Sequence, residues 1–270
     1  MNAFKNHFSF EFLTGIRNRQ SLLMNYLFPL GFYLVMGLVM TEIFPLYQEM
    51  LIPAMVTFAV LASTLLGIPD PLVSSREKGI FRNYKINGVP SLSILLVPAL
   101  TTLVHLVIVM LTIAISAPLL FDALVPTNWI NFVIVFFALA FACIGLSVLI
   151  GVISPSSRTT ILWSQAIFLP SMLLGGLTIP HNMLPGIAQK FAQLLPSTHA
   201  MNAFNGLAMA RVADFSPWGS VVVLVFGGLM AFGLALYLFS WDSHNSTRRG
   251  HPLLALLALV PYVVGIFLLK

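Results

Sequence analysis

Charged side chains supply only 8% of the 270 residues, against roughly a quarter in soluble domains. The hydrophobic set supplies 59%. A soluble domain of this size needs a charged surface, and 13 Lys+Arg with 8 Asp+Glu cannot build one. Low hydrophobicity, the condition for disorder, is missing as well. The net charge of +5 carries no nucleic-acid signal, because the basic residues sit in short clusters between long apolar runs. What remains is an all-α polytopic membrane protein.

Further absences narrow the chemistry. The single cysteine, Cys143, forbids an intrachain disulfide and a cysteine-based metal cluster, and inside an apolar run it reads as a small buried hydrophobe. None of the five lysines follows a glycine, so there is no P-loop. The six histidines form no H-E-x-x-H, and no serine sits in G-x-S-x-G. A self-contained ATPase and an intramembrane metalloprotease are thereby disfavoured.

Long apolar runs are what the chain does have. A spanning helix needs about 20 apolar residues, and six runs qualify: 22–41, 50–72, 92–120, 129–153, 161–179 and 218–241. A seventh, 252–269, is marginal and carries Pro261. Ten of the thirteen basic residues fall before the first run or in the second, fourth and sixth connections. By the positive-inside rule this places the amino terminus in the cytoplasm. Trp129, Trp163, Trp218 and Trp241 fall near span ends, as interfacial indoles do.

Residues 1–20 read as a cytoplasmic interfacial helix and not as a cleaved signal peptide. Phe4, Phe8, Phe12 and Ile16 recur every four residues, with Lys5, Asn6, Arg17 and Arg19 elsewhere on the wheel. His105 is the one ionisable side chain clearly at mid-bilayer depth. It reads either as a neutral imidazole hydrogen-bonded to a neighbouring helix or as a transport residue. Asp70 stands between Pro69 and Pro71, where the helix should kink and a carboxylate can cap freed donors or pair with a basic residue.

Two connections carry more than a loop requires. The second, 74–90, holds Arg76, Glu77, Lys78, Gly79, Ile80, Phe81, Arg82, Asn83, Tyr84 and Lys85. Ile80, Phe81 and Tyr84 share a helical face while the charges project elsewhere. Such a helix offers a partner an apolar anchor with a charged rim, or it simply rests on anionic lipid. The long fifth connection, 180–217, lies outside. In it Met183, Leu184, Ile187, Phe191, Leu194 and Leu195 recur at helical spacing, broken by prolines 180, 185 and 196. It reads as an amphipathic element lying on the outer face or dipping back into it. Gly175 and Gly176 permit either close packing or a break before it.

These residues together resemble the permease subunits of type-two ATP-binding-cassette exporters, an architecture related to the G-subfamily of ABC transporters. The likeness rests on three stretches, taken with the six-run count. They are Arg76-Glu77-Lys78-Gly79, the run from Pro170 to Pro180 followed by Met183-Leu184-Pro185, and Leu195 to Phe204. The resemblance covers about residues 1–250 and implies a six-span permease domain over 21–251, with 252–270 as an extra apolar segment.

It further implies a half-transporter of the plasma (bacterial inner) membrane: two permease chains, identical or paralogous, each seated on a separate ATPase subunit. ATP and magnesium would bind that partner, and no cofactor would bind this chain. Arg76, Glu77, Lys78, Gly79, Phe81, Arg82 and Tyr84 would form the coupling helix. Met55, Phe58, Met172, Leu173 and His105 are candidate pathway residues, with Leu177 and Thr178 near an outer constriction. The bland reading of each is helix packing or lipid contact. The phenylalanine and methionine content suits a hydrophobic or amphipathic cargo such as a drug, lipid or peptide. The competing reading is an ATP-independent carrier using His105 and Asp70, or a membrane assembly factor. The extra segment departs from the family, and 252–269 either crosses the membrane or stays on one side.

Overall fold

The computed structural model describes residues 22–242 and 250–269, and within them the structure is all-helical. The interfacial helix expected over 1–20 lies outside the described residues, as do Arg248, Arg249 and Lys270. Five helices are long and apolar enough to cross a membrane: α1 (Leu23–Ile43), α2 (Leu51–Glu77), α4 (Ser91–Phe121), α5 (Trp129–Ile153) and α9 (Pro217–Leu238). Between them lie α3 (Ile80–Ile86), α6 (Ser157–Leu174), α7 (Gly186–Ala192) and α8 (Pro196–Ala203). The last helix, α10 (Pro252–Leu268), is apolar but shorter.

The fifth expected crossing is displaced. The apolar run covers 161–179, yet α6 begins at Ser157, where the Ser156 hydroxyl accepts from Thr159 N–H at 3.4 Å. It ends at Leu174, because Gly176 takes a left-handed φ of 83°. Its 18 residues span about 27 Å and include Arg158, Ser164, Gln165 and Ser171, which make α6 less apolar than the five long helices. Trp163 consequently sits inside α6 and not at its end.

α5 is hydrophobic on all sides and is correspondingly buried at the centre. Its main neighbour is α9, and the two backbones approach closely because both are glycine there. A Cβ at Gly145 would come within 3.0 Å of the Gly228 carbonyl, and one at Gly228 within 3.2 Å of the Ala142 nitrogen. α2 is also enclosed, by α1, α4, α5 and α6. It is interrupted by a π turn at Ala62–Leu66 and restarts at Pro69, so the expected loosening beside the two prolines is present. Asp70 lies in the first turn of that restart without a side-chain cap bond. The helix dipole favours a carboxylate at that position.

α10 runs antiparallel to α9 along its whole length. Gly250 packs against Leu238, Tyr262 against Gly227, Gly265 against Val223, and Leu269 against Gly219. Its first 8 residues are 3₁₀ helix and the next 9 are α-helix. Pro261 explains the change: it has no N–H for the Leu257 carbonyl, which accepts from Val260 instead. At about 2.0 Å per 3₁₀ residue and about 1.5 Å per α residue, the segment reaches about 30 Å, the thickness of a bilayer core.

Candidate functional site

α2, α5 and α9 end, and α6 begins, at one pole of the molecule, where α3 is also found. α1, α4 and α6 end at the other, which is closed by α7, α8 and three connections. Functional side chains gather at both poles.

At the α3 pole the chain turns twice through glycine. Gly79 and Gly88 bracket α3, each with a φ of 72° and open space where a Cβ would stand. Glu77, Lys78, Arg82 and Lys85 are exposed and Tyr84 is half-buried. Two residues depart from the expected outward rim. Arg76 is 6% exposed and donates to the carbonyls of Val152 at 2.7 Å and of Ser154. Those are carbonyls left over where α5 ends, so a buried guanidinium is satisfied by the negative end of a helix. Phe81, expected as an anchor offered to a partner, is buried against Phe239 of the same chain at a ring separation of 5.8 Å. Arg82 forms an ion pair with Asp242.

At the other pole α8 inverts the usual rule of burial. Its sequence, PSTHAMNA, is largely polar, yet every residue of it is buried. Three of its four polar side chains are held by hydrogen bonds, the usual condition for burial. Thr198 Oγ1 donates to the Ala192 carbonyl at 2.6 Å and His199 Nε2 to that of Gln193 at 2.8 Å. Asn202 is the hub: its Nδ2 donates to the Phe215 carbonyl at 2.9 Å and to Ser220 Oγ at 3.0 Å, and its Oδ1 accepts from Asp214 N–H at 2.8 Å and Phe215 N–H at 3.3 Å. Burial lowers the His199 pKa to about 4, against a favourable effect of the Gln193 carbonyl.

Beside α8 lies a cavity of about 420 Å³ lined by His181, Asn202, Asn205, Arg211 and Asp214 among others. His181 Nδ1 stands 3.5 Å from Asp214 Oδ2, and this carboxylate raises the His181 pKa in spite of partial burial. Arg211 pairs with Glu49 at 2.9 Å. Tyr47 Oη donates to the Leu177 carbonyl at 2.9 Å, and Thr178 Oγ1 to that of Met172 at 3.4 Å, so the α1–α2 turn and the end of α6 wall the same pole. Among the described residues no three of His, Cys, Asp and Glu come together to hold a metal. The cavity instead offers Arg211, the His181–Asp214 contact and several amides, a setting for a polar group of a ligand.

The candidate pathway residues divide. Met55 and Phe58 are fully buried in the chain's own packing, Phe58 being stacked on Phe32 at 4.0 Å and tilted against Phe28 and Phe168. Within the single chain they therefore pack helices, because α2 is surrounded. Leu177 is buried, Met172 and Thr178 are half-buried, and Leu173 is 56% exposed. His105 shares a 2.6 Å hydrogen bond with Tyr26 of α1, the helix-to-helix partnership anticipated for a neutral imidazole. Asn202 lies in the stretch Leu195 to Phe204 that carries the family resemblance, whereas Asp214, Glu49 and Arg211 had no mark in the sequence beyond being polar residues in weakly apolar connections.

Residues 2–209 match the family model described as ABC-2 type transporter. The chain belongs to that family. A protein of Bacillus subtilis (strain 168) named "Putative transport permease YvfS" is 23% identical over 245 residues, covering 88% of this chain and 97% of the other. No solved structure matches. The chain is thus the multi-pass membrane permease of an ABC-2 type transporter, a transport subunit without catalytic activity of its own. ABC-2 permeases pair with ATPase subunits.

Proposed function

We propose that this permease is half of an ATP-driven exporter for a hydrophobic or amphipathic cargo, with α3 as the helix that seats on a separate ATPase subunit. ATP and magnesium are bound there, and nucleotide binding shifts two paired permeases between inward-open and outward-open populations. The observation that carries this reading is the build of α3. It is a short helix between two left-handed glycines, with Arg82 and Lys85 on it, and Glu77 and Lys78 just before it, turned outward. The concentration of basic residues in the sequence around this pole supports a cytoplasmic position for it and for the amino terminus. The reach of α10 along α9 supports a seventh crossing that carries the carboxyl terminus to the other side.

The exposed apolar face of α6, with Ile161, Leu162, Leu169 and Leu173, suits a second permease chain or lipid. Together with the polar cavity at the far pole it suits a cargo with an apolar body and a polar end. The carrier reading loses ground, because His105 is buried and hydrogen-bonded to Tyr26.

The test is co-purification of the ATPase with a Lys78→Glu/Lys85→Glu permease. Both side chains are exposed, so folding is spared, and retained ATPase should fall roughly tenfold, the loss of one modest interfacial hot spot. Full retention of the ATPase would overturn the seating of α3.

A further inference from the structure

Along the chain α3 joins α2 to α4. The contacts add a third attachment. Phe81 lies on Phe239, the first residue beyond α9, and Phe239 in turn meets Trp241 edge-on at 5.2 Å. One residue along α3, Arg82 pairs with Asp242. The turn that carries Asp242 is braced by Ser240 Oγ, which donates to the Asp242 carbonyl at 2.8 Å. α3 is therefore fastened to the end of α9 by an aromatic contact and an ionic one.

α9 is suited to carry a displacement. Its 22 residues make a rod of about 33 Å, held between α5 and α10. At the far end of the rod, Ser220 accepts from Asn202, which also holds the Asp214–Phe215 backbone. Asn202 and Asp214 both line the polar cavity. One rigid element thus touches the coupling helix at one pole and the cavity at the other, the physical continuity that coupling between distant sites requires.

We infer that Phe239 and Asp242 are positioning residues that link α3 to α9, so that ATPase movement reaches the polar cavity through α9. This rests on the seating of α3 proposed above. Arg82 is the decisive residue, since its side chain is 61% exposed and Asp242's 26%. It answers either to Asp242 or to an acid on the ATPase.

A charge swap separates the two. The permease, carrying Val212→Cys, is labelled before assembly with its ATPase in lipid nanodiscs. Val212 is 94% exposed at the cavity and Cys143 is buried, so the label reports on that pole alone. The readout is the fluorescence change when a nonhydrolysable ATP analogue binds. Arg82→Asp and Asp242→Arg should each cut that change roughly fivefold or more, the lower range of measured couplings, with the ATPase still co-purifying. The double variant should restore it to within about twofold, since distances and charges are re-paired.

If the double variant remains as impaired as Arg82→Asp alone, Arg82 serves the ATPase and the inference fails. Equally, it fails if neither single variant alters the response. When Lys78→Glu/Lys85→Glu still releases the ATPase, such a failure touches the α9 link alone. When it does not, the seating of α3 falls as well.

Discussion

The two poles of this permease are made of opposite materials. At the α8 pole, four polar side chains of one short helix are buried, and three of them are tied to partners on other segments. Connections are laced together there: Thr127 binds the Ala208 carbonyl, Tyr47 that of Leu177, Asn131 that of Leu207, and Arg211 pairs with Glu49. At the α3 pole a short, mostly exposed helix hangs between two glycines, with Phe81 on Phe239, Arg82 on Asp242 and a half-buried Tyr84 among its attachments. Buried and satisfied polar networks rigidify, whereas exposed elements with few apolar contacts open at low cost. The contrast assigns stiffness to the pole with the cavity and compliance to the pole proposed to seat the ATPase.

Breaking the stiff pole should have the largest effect. Asn202→Leu keeps the volume but removes the hydrogen bonds that Asn202 gives the Asp214 and Phe215 N–H groups and the Phe215 carbonyl, and leaves the Ser220 hydroxyl only its bond to the Ser216 carbonyl. Leaving several buried polar groups unsatisfied should destabilise by about 4 kcal/mol, read as a lowered thermal midpoint of the detergent-solubilised protein. If that midpoint is unchanged, the cap is not a rigid unit and the contrast between the poles disappears.

Acid is a gentler probe of the same pole, and its sign follows from His199. Its pKa falls from 6.5 unfolded to about 4 folded. The stability of keeping it neutral is therefore complete above pH 6.5 and is lost as pH falls toward 4. At about 1.4 kcal/mol per unit, the loss is on the order of 3 kcal/mol. His181 works the other way. Asp214 raises its pKa, so its contribution is present below 6.5 and fades as pH rises through the raised value. Stability measured from pH 7 to 4 should fall in the wild type and fall much less in His199→Gln, while His181→Gln should steepen the decline.

The long helices were legible because burial in lipid or protein writes itself as apolar length. The runs 92–120 and 129–153 correspond to Ser91–Phe121 and Trp129–Ile153. What was illegible depends on partners distant along the chain. Nothing in PSTHAMNA announces that Thr198, His199 and Asn202 are held from Ala192, Gln193, Phe215 and Ser220. Arg76 reads as an outward charge, because the α5 carbonyls that hold it lie 76 and 78 residues away. Phe81 reads as an anchor for a partner for the same reason: Phe239 closes over it from the far end of α9. Pattern along one helix shows which face is apolar, and only the fold decides whether the cover comes from this chain or from another.

The smallest expected effect sharpens the compliant pole. Gly79 holds a φ of 72°, and a Cβ added there would have nothing within 4 Å. Gly79→Ala therefore meets no steric wall and costs only the left-handed backbone, about 1 kcal/mol. Gly79→Asn should recover most of that, since asparagine tolerates this conformation. Gly175 at the stiff pole has an ordinary φ of −76°, but a Cβ there would stand 2.1 Å from Ser197 Oγ. The two glycines are needed for different reasons, one for a backbone angle and one for a space. Thermal midpoints of Gly79→Ala and Gly79→Asn, compared in the same detergent, test this directly. Should both variants lose stability equally, the requirement at Gly79 is for space, and α3 is packed more tightly than a hinged helix allows.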